Sequence, residues 1–386
     1  MSDHEFLVIG GGIGGLATAL GLAHAGARVH VIEKAPEFGE IGAGLQLAPN
    51  ASSALDRLGV LGEIRKFAVA PRRMVWGDAI SGEIVTAFDL GEPFVARFGY
   101  PYLVMHRSDL LNVLLAACRA ESRITLETGR DAVAIEDKVT GARVTCDDGT
   151  VYDCAALVGA DGLWSPTRKF IADDGPPRTF PFVAYRGAIP IAEVSEHAGL
   201  DNVIMWCGPD MHFVQYPIRR GELFNQVAVF KSPSFPAADW GNEAELDAHY
   251  AQCCDYVRKS LLKIQRDRRW TMVDRAPIST WVRNRIALVG DAAHPMLQYI
   301  AQGACQAIED TICLAERVRD IGDVGDAFLA YQEARYLRAA RVQISAEFMG
   351  GIFHIGGVGR VLRNKFFEGH AADDYREIAW LYGHRA

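Results

Sequence analysis

Apolar runs that end in glycine or an acidic residue are the most regular feature of this sequence. Phe6–Ile9 is followed at once by Gly10-Gly11-Gly12-Ile13-Gly14-Gly15, and the next stretch places its apolar residues on one helical face. A second apolar run begins at Val29 and ends at Glu33. This order predicts a strand, a glycine turn, a helix and a second strand with a carboxylate at its end.

Two later segments repeat the pattern of an apolar strand followed by glycine and an acid. Ala156-Leu157-Val158 precedes Gly159-Ala160-Asp161-Gly162, and Ile286–Val289 precedes Gly290-Asp291. Between them, residues 184–230 alternate as antiparallel strands do, and residues 243–265 have helical periodicity. Ser108 is the predicted N-cap of a helix over residues 109–120.

These elements predict an α/β fold. A Rossmann-like, glutathione-reductase-type domain is interrupted by an inserted mixed β-sheet domain, and helices close the chain. The expected nucleotide-binding domain comprises residues 1–73, 100–180 and 275–320. The inserted substrate domain takes residues 74–99 and 181–274, and residues 321–386 form a C-terminal helical segment.

Composition narrows the class of protein. The 386 residues, 49% apolar and 23% charged, are typical of a soluble globular chain of two or three domains. The net charge of −8 argues against binding to nucleic acid. The uncharged stretch 6–27 is too rich in glycine for a membrane span, so no transmembrane segment is expected. Eight cysteines without a C-x-x-C pair indicate buried thiols in a reducing cytoplasm, and no metal site is expected.

The amino-terminal glycines fit a dinucleotide-binding turn. Gly10, Gly12 and Gly15 have the G-x-G-x-x-G spacing, with Gly14 inside it, and the following helix offers its free N–H groups to a diphosphate. Glu33 is placed to accept hydrogen bonds from ribose hydroxyls. A purely structural glycine turn is the alternative, but it gives no reason for the position of the acid.

The second and third motifs are expected at the same sheet edge, where open α/β sheets bind ligands. Asp161 and Asp291 are candidates to hold ribityl or ribose hydroxyls, although a strand followed by an Asp-initiated turn is a common structural alternative. Residues Gln302-Gly303-Ala304 lead into a long helix whose amino end points back at this edge. A positive helix end beside a flavin ring would stabilise the anion of the reduced flavin.

Together, these three motifs resemble the single-component, class A aromatic flavin monooxygenases. The resemblance covers nearly the whole chain and includes Ser165, Arg168 and Ala292-Ala293-His294-Pro295. It implies FAD bound by the first and third motifs, with Gln46 and Arg107 beside the flavin, and NADH or NADPH bound transiently as cosubstrate. The middle motif would contact both FAD and nicotinamide. Relatives in this family are commonly homodimers.

Two stretches are similar to the 3-hydroxybenzoate 6-hydroxylases within that family. They begin at Met211 and at His294, and they place Tyr102, His212, Tyr216 and Gln298 on substrate-site positions. The implied reaction is para-hydroxylation of 3-hydroxybenzoate to 2,5-dihydroxybenzoate (gentisate) through a flavin C4a-hydroperoxide, with O₂ consumed. Salicylate and 6-hydroxynicotinate hydroxylases share the scaffold. A flavin reductase or dehydrogenase, and a non-catalytic FAD-binding protein, are the remaining alternatives.

Ring hydroxylation needs an electron-rich phenol, so a base beside the substrate hydroxyl is expected. Histidine has a suitable pKa, and His212 is the candidate base. His212 and Tyr216 project from the same face of one strand. Tyr102 and Gln298 would supply further hydrogen bonds to the substrate. The structural alternatives are a hydrogen-bonded sheet histidine, core tyrosines and a solvated glutamine.

Overall fold

The computed structural model describes residues 6–39, 42, 44–194, 199–235 and 240–386. The strands are β1 (Phe6–Ile9), β2 (Val29–Glu33), β3 (Gly44–Leu47), β4 (Arg73–Asp78), β5 (Ile84–Asp89), β6 (Leu103–His106), β7 (Ile124–Thr128), β8 (Ala132–Asp137), β9 (Ala142–Cys146), β10 (Val151–Cys154), β11 (Ala156–Gly159), β12 (Arg178–Pro190), β13 (Val203–Gly208), β14 (Met211–Ile218), β15 (Leu223–Lys231), β16 (Trp270–Asp274), β17 (Val282–Arg283) and β18 (Ile286–Leu288). The helices are α1 (Ile13–His24), α2 (Pro49–Arg57), α3 (Leu61–Ile64), α4 (Glu92–Phe98), α5 (Arg107–Ala120), α6 (Pro166–Ile171), α7 (Glu243–Tyr250), α8 (Asp255–Leu261), α9 (Gly303–Asp320), α10 (Val324–Phe353), α11 (Gly357–Phe367) and α12 (Arg376–Tyr382).

A largely parallel sheet forms the first layer of the nucleotide-binding part. Its order is β17-β18-β11-β1-β2-β7, and every neighbouring pair except β17 with β18 is parallel. Strand β1 lies in the middle and is buried along its whole length, as its continuous apolar run requires. Because β1, β11 and β18 run in the same direction, their three glycine turns meet at one edge.

A second, mixed sheet forms the inserted part, with the order β16-β12-β15-β14-β13-β4-β5. Its pairs are antiparallel except β13 with β4. One face carries Phe213, Tyr185 and Phe230, which form a core with α7 and α8. The strand alternation places His212 and Tyr216 on the opposite face. Small sheets β10-β9-β8 and β3-β6 complete the β-structure of the described residues.

The carboxy-terminal part is helical. Helix α10 packs against α9 over much of its 30 residues and is followed by α11 and α12. Among the described residues, no helix is both long and apolar enough to cross a membrane.

The predicted fold class is confirmed, with local differences. Helix α5 begins at Arg107, and the His106 side chain accepts the Ser108 N–H, so Ser108 lies inside the first turn and is not the cap. The helical segment 243–265 is two helices, because the chain turns after Tyr250. Domain limits stay a prediction; the mixed sheet takes its strands from residues 73–89 and 178–274.

Candidate active site

The glycine turn after β1 is so close-packed that side chains are excluded. Gly10 has a φ of +106°, and a Cβ there would lie 2.4 Å from the Ala160 carbonyl oxygen. A Cβ on Gly15 would lie 1.9 Å from the Gly10 carbonyl oxygen. Gly14 instead faces Ala307 of α9 at ordinary contact distance. The backbone of the glycine turn therefore lies close to the first turn of α1. A diphosphate site requires this arrangement, because the phosphates must approach the backbone N–H groups.

Glu33 lies across this turn at the end of β2. Its Oε2 accepts the Gly11 N–H at 2.7 Å, and its Oε1 accepts the Ala35 N–H at 2.9 Å. Both oxygens retain lone pairs for ribose hydroxyls. Gly12 is the N-cap of α1, whose first turn contains no acidic side chain that would repel a phosphate.

The middle motif uses its side chains inside the protein. Both carboxylate oxygens of Asp161 accept hydrogen bonds from Ser165 and Thr167 at the start of α6. Arg168 is fully buried and donates to the carbonyl oxygens of Ala292 and Ala293. The middle motif therefore clamps the third motif in place.

Asp310 of α9 holds the third motif in place. Asp310 accepts the Gly290 N–H at 2.9 Å and pairs with His294 at 2.6 Å, and Arg335 donates to its other oxygen at 2.8 Å. Despite burial, which raises it, the pKa of Asp310 is lowered by His294 and Arg335. Gly290 takes a φ of +59°, and Asp291 stays exposed beside it. His294 is therefore held inside the protein by Asp310.

The amino end of α9 faces the exposed Asp291. A Cβ built on Gly303 would lie 3.9 Å from the Asp291 carboxylate, and Ala304 follows in the first turn. The Gln302 side chain points inward, where its Oε1 accepts from Asn50 and Gln306. The Oε1 of Gln302 is therefore occupied by contacts inside the protein.

Tyr102, Tyr216 and Gln46 form a buried polar cluster between the two sheets. The Tyr102 hydroxyl donates to Gln46 Oε1 at 2.5 Å, and Gln46 also hydrogen-bonds Tyr216. Burial raises the pKa of both phenols, so both stay protonated and can donate. Gly44 lets this junction close, because a Cβ there would lie 2.6 Å from the Tyr216 ring.

Arg186 on β12 is the unexpected member of the site. It lies on the sheet face that carries Tyr216, and it donates to Gln298 Oε1. Burial and the nearby charge of Arg107 lower its pKa. Within the described residues no carboxylate pairs with Arg186, and its Nε is buried without a hydrogen-bond partner, while its guanidinium lies over the Trp270 ring. A cavity of about 510 Å³ opens beside it, lined also by Trp164, Phe235, Trp270, Met296 and Gln298.

His212 lies on the same sheet face as Tyr216, towards the other end of β14. It is 2% exposed, and its Nδ1 is hydrogen-bonded to His354 Nε2 at 2.8 Å. Burial and the neighbouring imidazole hold the pKa of His212 well below its usual range. The Tyr299 ring, one residue after Gln298, packs against it edge-on. The structure therefore gathers Tyr102, Tyr216, Gln298 and Arg186 into one group and places His212 next to it through Tyr299.

Two residues of this region, Arg186 and His354, were not expected from the sequence. Arg186 stands in an apolar strand, and an arginine at an inward position of a strand was a signal that could have been read. His354 comes from the end of a helix 142 residues away from His212. Only the folded chain reveals that pair.

A model of the FAD-binding-domain family matches residues 3–343, and the chain belongs to that family. It is an FAD-dependent hydroxylase of the single-component type that the three motifs indicate. The close-packed glycine turn, Glu33 and the amino ends of α1 and α9 fit FAD.

Individual relatives agree with this assignment. A 3-hydroxybenzoate 6-hydroxylase of Polaromonas naphthalenivorans is 39% identical over 99% of this chain and 96% of its own length. A 3-amino-4-hydroxybenzoate 2-monooxygenase of Streptomyces platensis is 34% identical over 98% of this chain and 96% of its own. The crystal structure of Klebsiella pneumoniae HpxO with FAD and uric acid superposes with a TM-score of 0.84, at 27% identity, over 95% of this chain and 93% of HpxO.

Proposed function

We propose that this protein hydroxylates 3-hydroxybenzoate at the carbon para to its hydroxyl, giving 2,5-dihydroxybenzoate (gentisate), with consumption of NADH or NADPH and O₂. The similarity to the Polaromonas 3-hydroxybenzoate 6-hydroxylase supports this substrate. So does the arrangement of Tyr102, Tyr216, Gln298 and His212.

Arg186 is the observation that carries the proposal. The Arg186 guanidinium is half-buried and lies over the Trp270 ring, but it has no carboxylate partner among the described residues, so its charge is only partly compensated. A ligand carboxylate would complete this compensation and would take the unpartnered Nε as a hydrogen-bond donor. Arg107 places a second positive charge near Arg186. The site therefore favours an anionic aromatic acid over a neutral phenol.

The remaining residues fit the rest of the substrate. Tyr216 and Gln298 would orient the ring through their polar groups, with Tyr102 supporting Tyr216 through Gln46. His212 would take the phenol proton at Nε2, since Nδ1 is held by His354. Loss of this proton raises the electron density of the ring at the para carbon.

The glycine-turn residues, Glu33 and the third motif would hold FAD. The residues proposed for this are Gly10, Gly12, Gly14, Gly15, Glu33, Gln46, Arg107, Asp161, Gly290, Asp291, Gln302, Gly303 and Ala304. When bound, FAD supplies two-electron reduction by nicotinamide and the activation of O₂.

Product analysis tests this function. Purified holoenzyme is supplied with 3-hydroxybenzoate, salicylate or 6-hydroxynicotinate, together with NADH or NADPH, while O₂ uptake is recorded. We expect gentisate from 3-hydroxybenzoate, in equal amount to the O₂ consumed. If salicylate or 6-hydroxynicotinate gives a product and 3-hydroxybenzoate does not, the compound that reacts is the substrate. Oxidation of nicotinamide without a hydroxylated product would indicate a reductase instead.

The cysteines bear on the cellular setting. All eight are free, and burial raises the pKa of most of them, including Cys118 to about 12. Such thiols are unreactive and persist reduced. We infer a reducing, cytoplasmic compartment for the protein.

A further inference from the structure

Two buried imidazoles in direct contact connect the candidate site to the end of helix α10. His212 Nδ1 and His354 Nε2 are 2.8 Å apart, and the two rings are nearly parallel, with their planes inclined by 23°. His354 is the residue after α10 and also stacks on Phe182. It is 9% exposed, whereas His212 is 2% exposed. The pair therefore leads from the sheet face of the site towards the surface.

The charges around this pair do not favour an additional positive charge on it. Burial, together with His249 and Arg363, lowers the pKa of His354 to about 3. The residues that face the pair from neighbouring elements are Cys207 on β13, Asp210 in the β13–β14 hairpin with Lys231 on β15, His249 on α7, Tyr299 before α9 and Arg363 on α11. Asp210 is an acid of this set, and its backbone N–H is bound to the His354 carbonyl oxygen. A second carboxylate, that of the buried Asp78, lies 3.7 Å from Arg363.

A base in these surroundings has to pass its proton on. An imidazolium at His212 would be a desolvated cation beside a second imidazole, and the environment strongly disfavours that charge. His212 can nevertheless remove a proton from the substrate if a proton leaves its other nitrogen at the same time, because no cation then accumulates.

We propose that His354 is a positioning residue that fixes the tautomer of His212 and conducts the phenol proton from His212 to solvent. This inference rests on the proposed role of His212 as the base. The phenol O–H gives its proton to His212 Nε2, His212 Nδ1–H gives its proton to His354 Nε2, and His354 Nδ1–H gives its proton to water. Both rings end neutral, with exchanged tautomers. Reprotonation of the product phenolate on release returns the protons along the same path.

Proton release on substrate binding tests the relay without turnover. The oxidised holoenzyme is mixed rapidly with 3-hydroxybenzoate in weak buffer containing a pH indicator dye, and the rate of dye response is measured. The variants are His354→Gln, which keeps a hydrogen-bonding group but cannot pass a proton, His212→Gln, and His24→Gln as a control at an exposed histidine at the end of α1. Substrate Kd, NADH-driven flavin reduction and the pH profile of hydroxylation are measured for each.

The relay predicts that His354→Gln slows proton release and hydroxylation about 10-fold or more, while the Kd and flavin reduction change little. Added imidazole should restore part of the rate. The rate of hydroxylation by His354→Gln should also increase more steeply with pH than that of wild type, because base from solution replaces His354. His24→Gln should behave as wild type. A wild-type rate in His354→Gln with a slow His212→Gln would overturn the relay but leave the base in place. Wild-type behaviour of both variants would remove His212 as the base, and the relay with it.

Discussion

At the scale of single residues, we expect the selectivity of the site to depend on one arginine that lacks a carboxylate partner among the described residues. Arg186 is held among Gln298, Tyr216 and Arg107 with its Nε buried and unpartnered. Tyrosine and glutamine recognise many aromatic ligands, but a half-buried arginine without an acidic partner favours an anion. The carboxylate of the substrate, and not its ring, is therefore the group that we expect the site to distinguish most strongly.

Replacing Arg186 tests this expectation. Arg186→Gln should weaken binding of 3-hydroxybenzoate about 10- to 100-fold, because a hydrogen bond to a charged group contributes roughly 1.5–3 kcal/mol. The neutral analogue 3-hydroxybenzyl alcohol is the control, and its weak affinity should not change. Flavin fluorescence titration gives both dissociation constants. An equal loss for the two ligands would mean that Arg186 shapes the site without contacting the carboxylate.

At the scale of elements, the glycine turn shows how closely the backbone of the flavin site is packed. Gly15→Ala would place a Cβ 1.9 Å from the Gly10 carbonyl oxygen, so α1 must shift away from β1. Overpacking of this kind costs about 1–3 kcal/mol, and we expect FAD affinity to fall about 10-fold or more. Flavin absorbance per protein after purification, and the Kd for added FAD, measure the loss.

Gly62→Ala on α3 is the matched control for the glycine turn. Nothing lies within 4 Å of a Cβ at Gly62, and alanine favours a helix. This variant should retain FAD as the wild type does. Unchanged FAD affinity in Gly15→Ala would show that the turn tolerates a side chain.

The ion cluster between α9 and α10 predicts a dependence of stability on pH. Burial alone would raise the pKa of Glu309, but Arg335 and Arg338 lower it to about 2, against an ordinary value of 4.5. The stabilising contribution of Glu309 is therefore complete above about pH 4.5 and is lost as the pH falls towards 2. At pH 7 it is on the order of 3 kcal/mol.

Urea unfolding of Glu309→Gln at two pH values measures this contribution. The free energy of unfolding should lie well below that of wild type at pH 7, and the difference should shrink at pH 3. Glu63→Gln is the control, since Glu63 forms an exposed pair with Lys66 that contributes roughly 0–1 kcal/mol. A difference from wild type that is the same at both pH values would show that Glu309 is not ionised below its ordinary pKa.

At the scale of the whole molecule, features formed by residues close together in the sequence could be predicted, whereas contacts between distant segments could not. The β1–α1–β2 unit is specified by periodicity and glycine spacing within 28 residues, and it was predicted with its acid. The strand β14 and the shared face of His212 and Tyr216 were likewise local. Three other contacts join distant segments: His212 with His354, Arg168 with the third motif, and Arg186 with Gln298. No local pattern encodes those contacts.

The surface of the carboxy-terminal helices leads to a proposal about assembly. Leu337, Ile344 and Phe348 form an exposed stripe on α10, and each is more than 60% exposed. The consecutive helix α11 adds Val358, Leu362 and Phe366, spaced four residues apart and exposed to a similar degree. Together these side chains expose on the order of several hundred Å² of apolar surface, which approaches the roughly 800 Å² per partner of a stable interface. We propose that the two stripes form one face and that a second copy of the chain covers it in a homodimer.

Charge substitutions on this face should separate the dimer. Phe348→Asp combined with Phe366→Asp would bury two carboxylates at the interface, and because each is costly to desolvate, we expect a monomer at micromolar concentration. Val139→Asp is the control, since Val139 is 66% exposed in a turn with a positive φ that aspartate tolerates. Sedimentation velocity distinguishes the two states. A wild-type monomer at every concentration would contradict the proposal, and so would a double variant that remains dimeric. Binding of the wild-type monomer to lipid vesicles would assign the same face to a membrane surface.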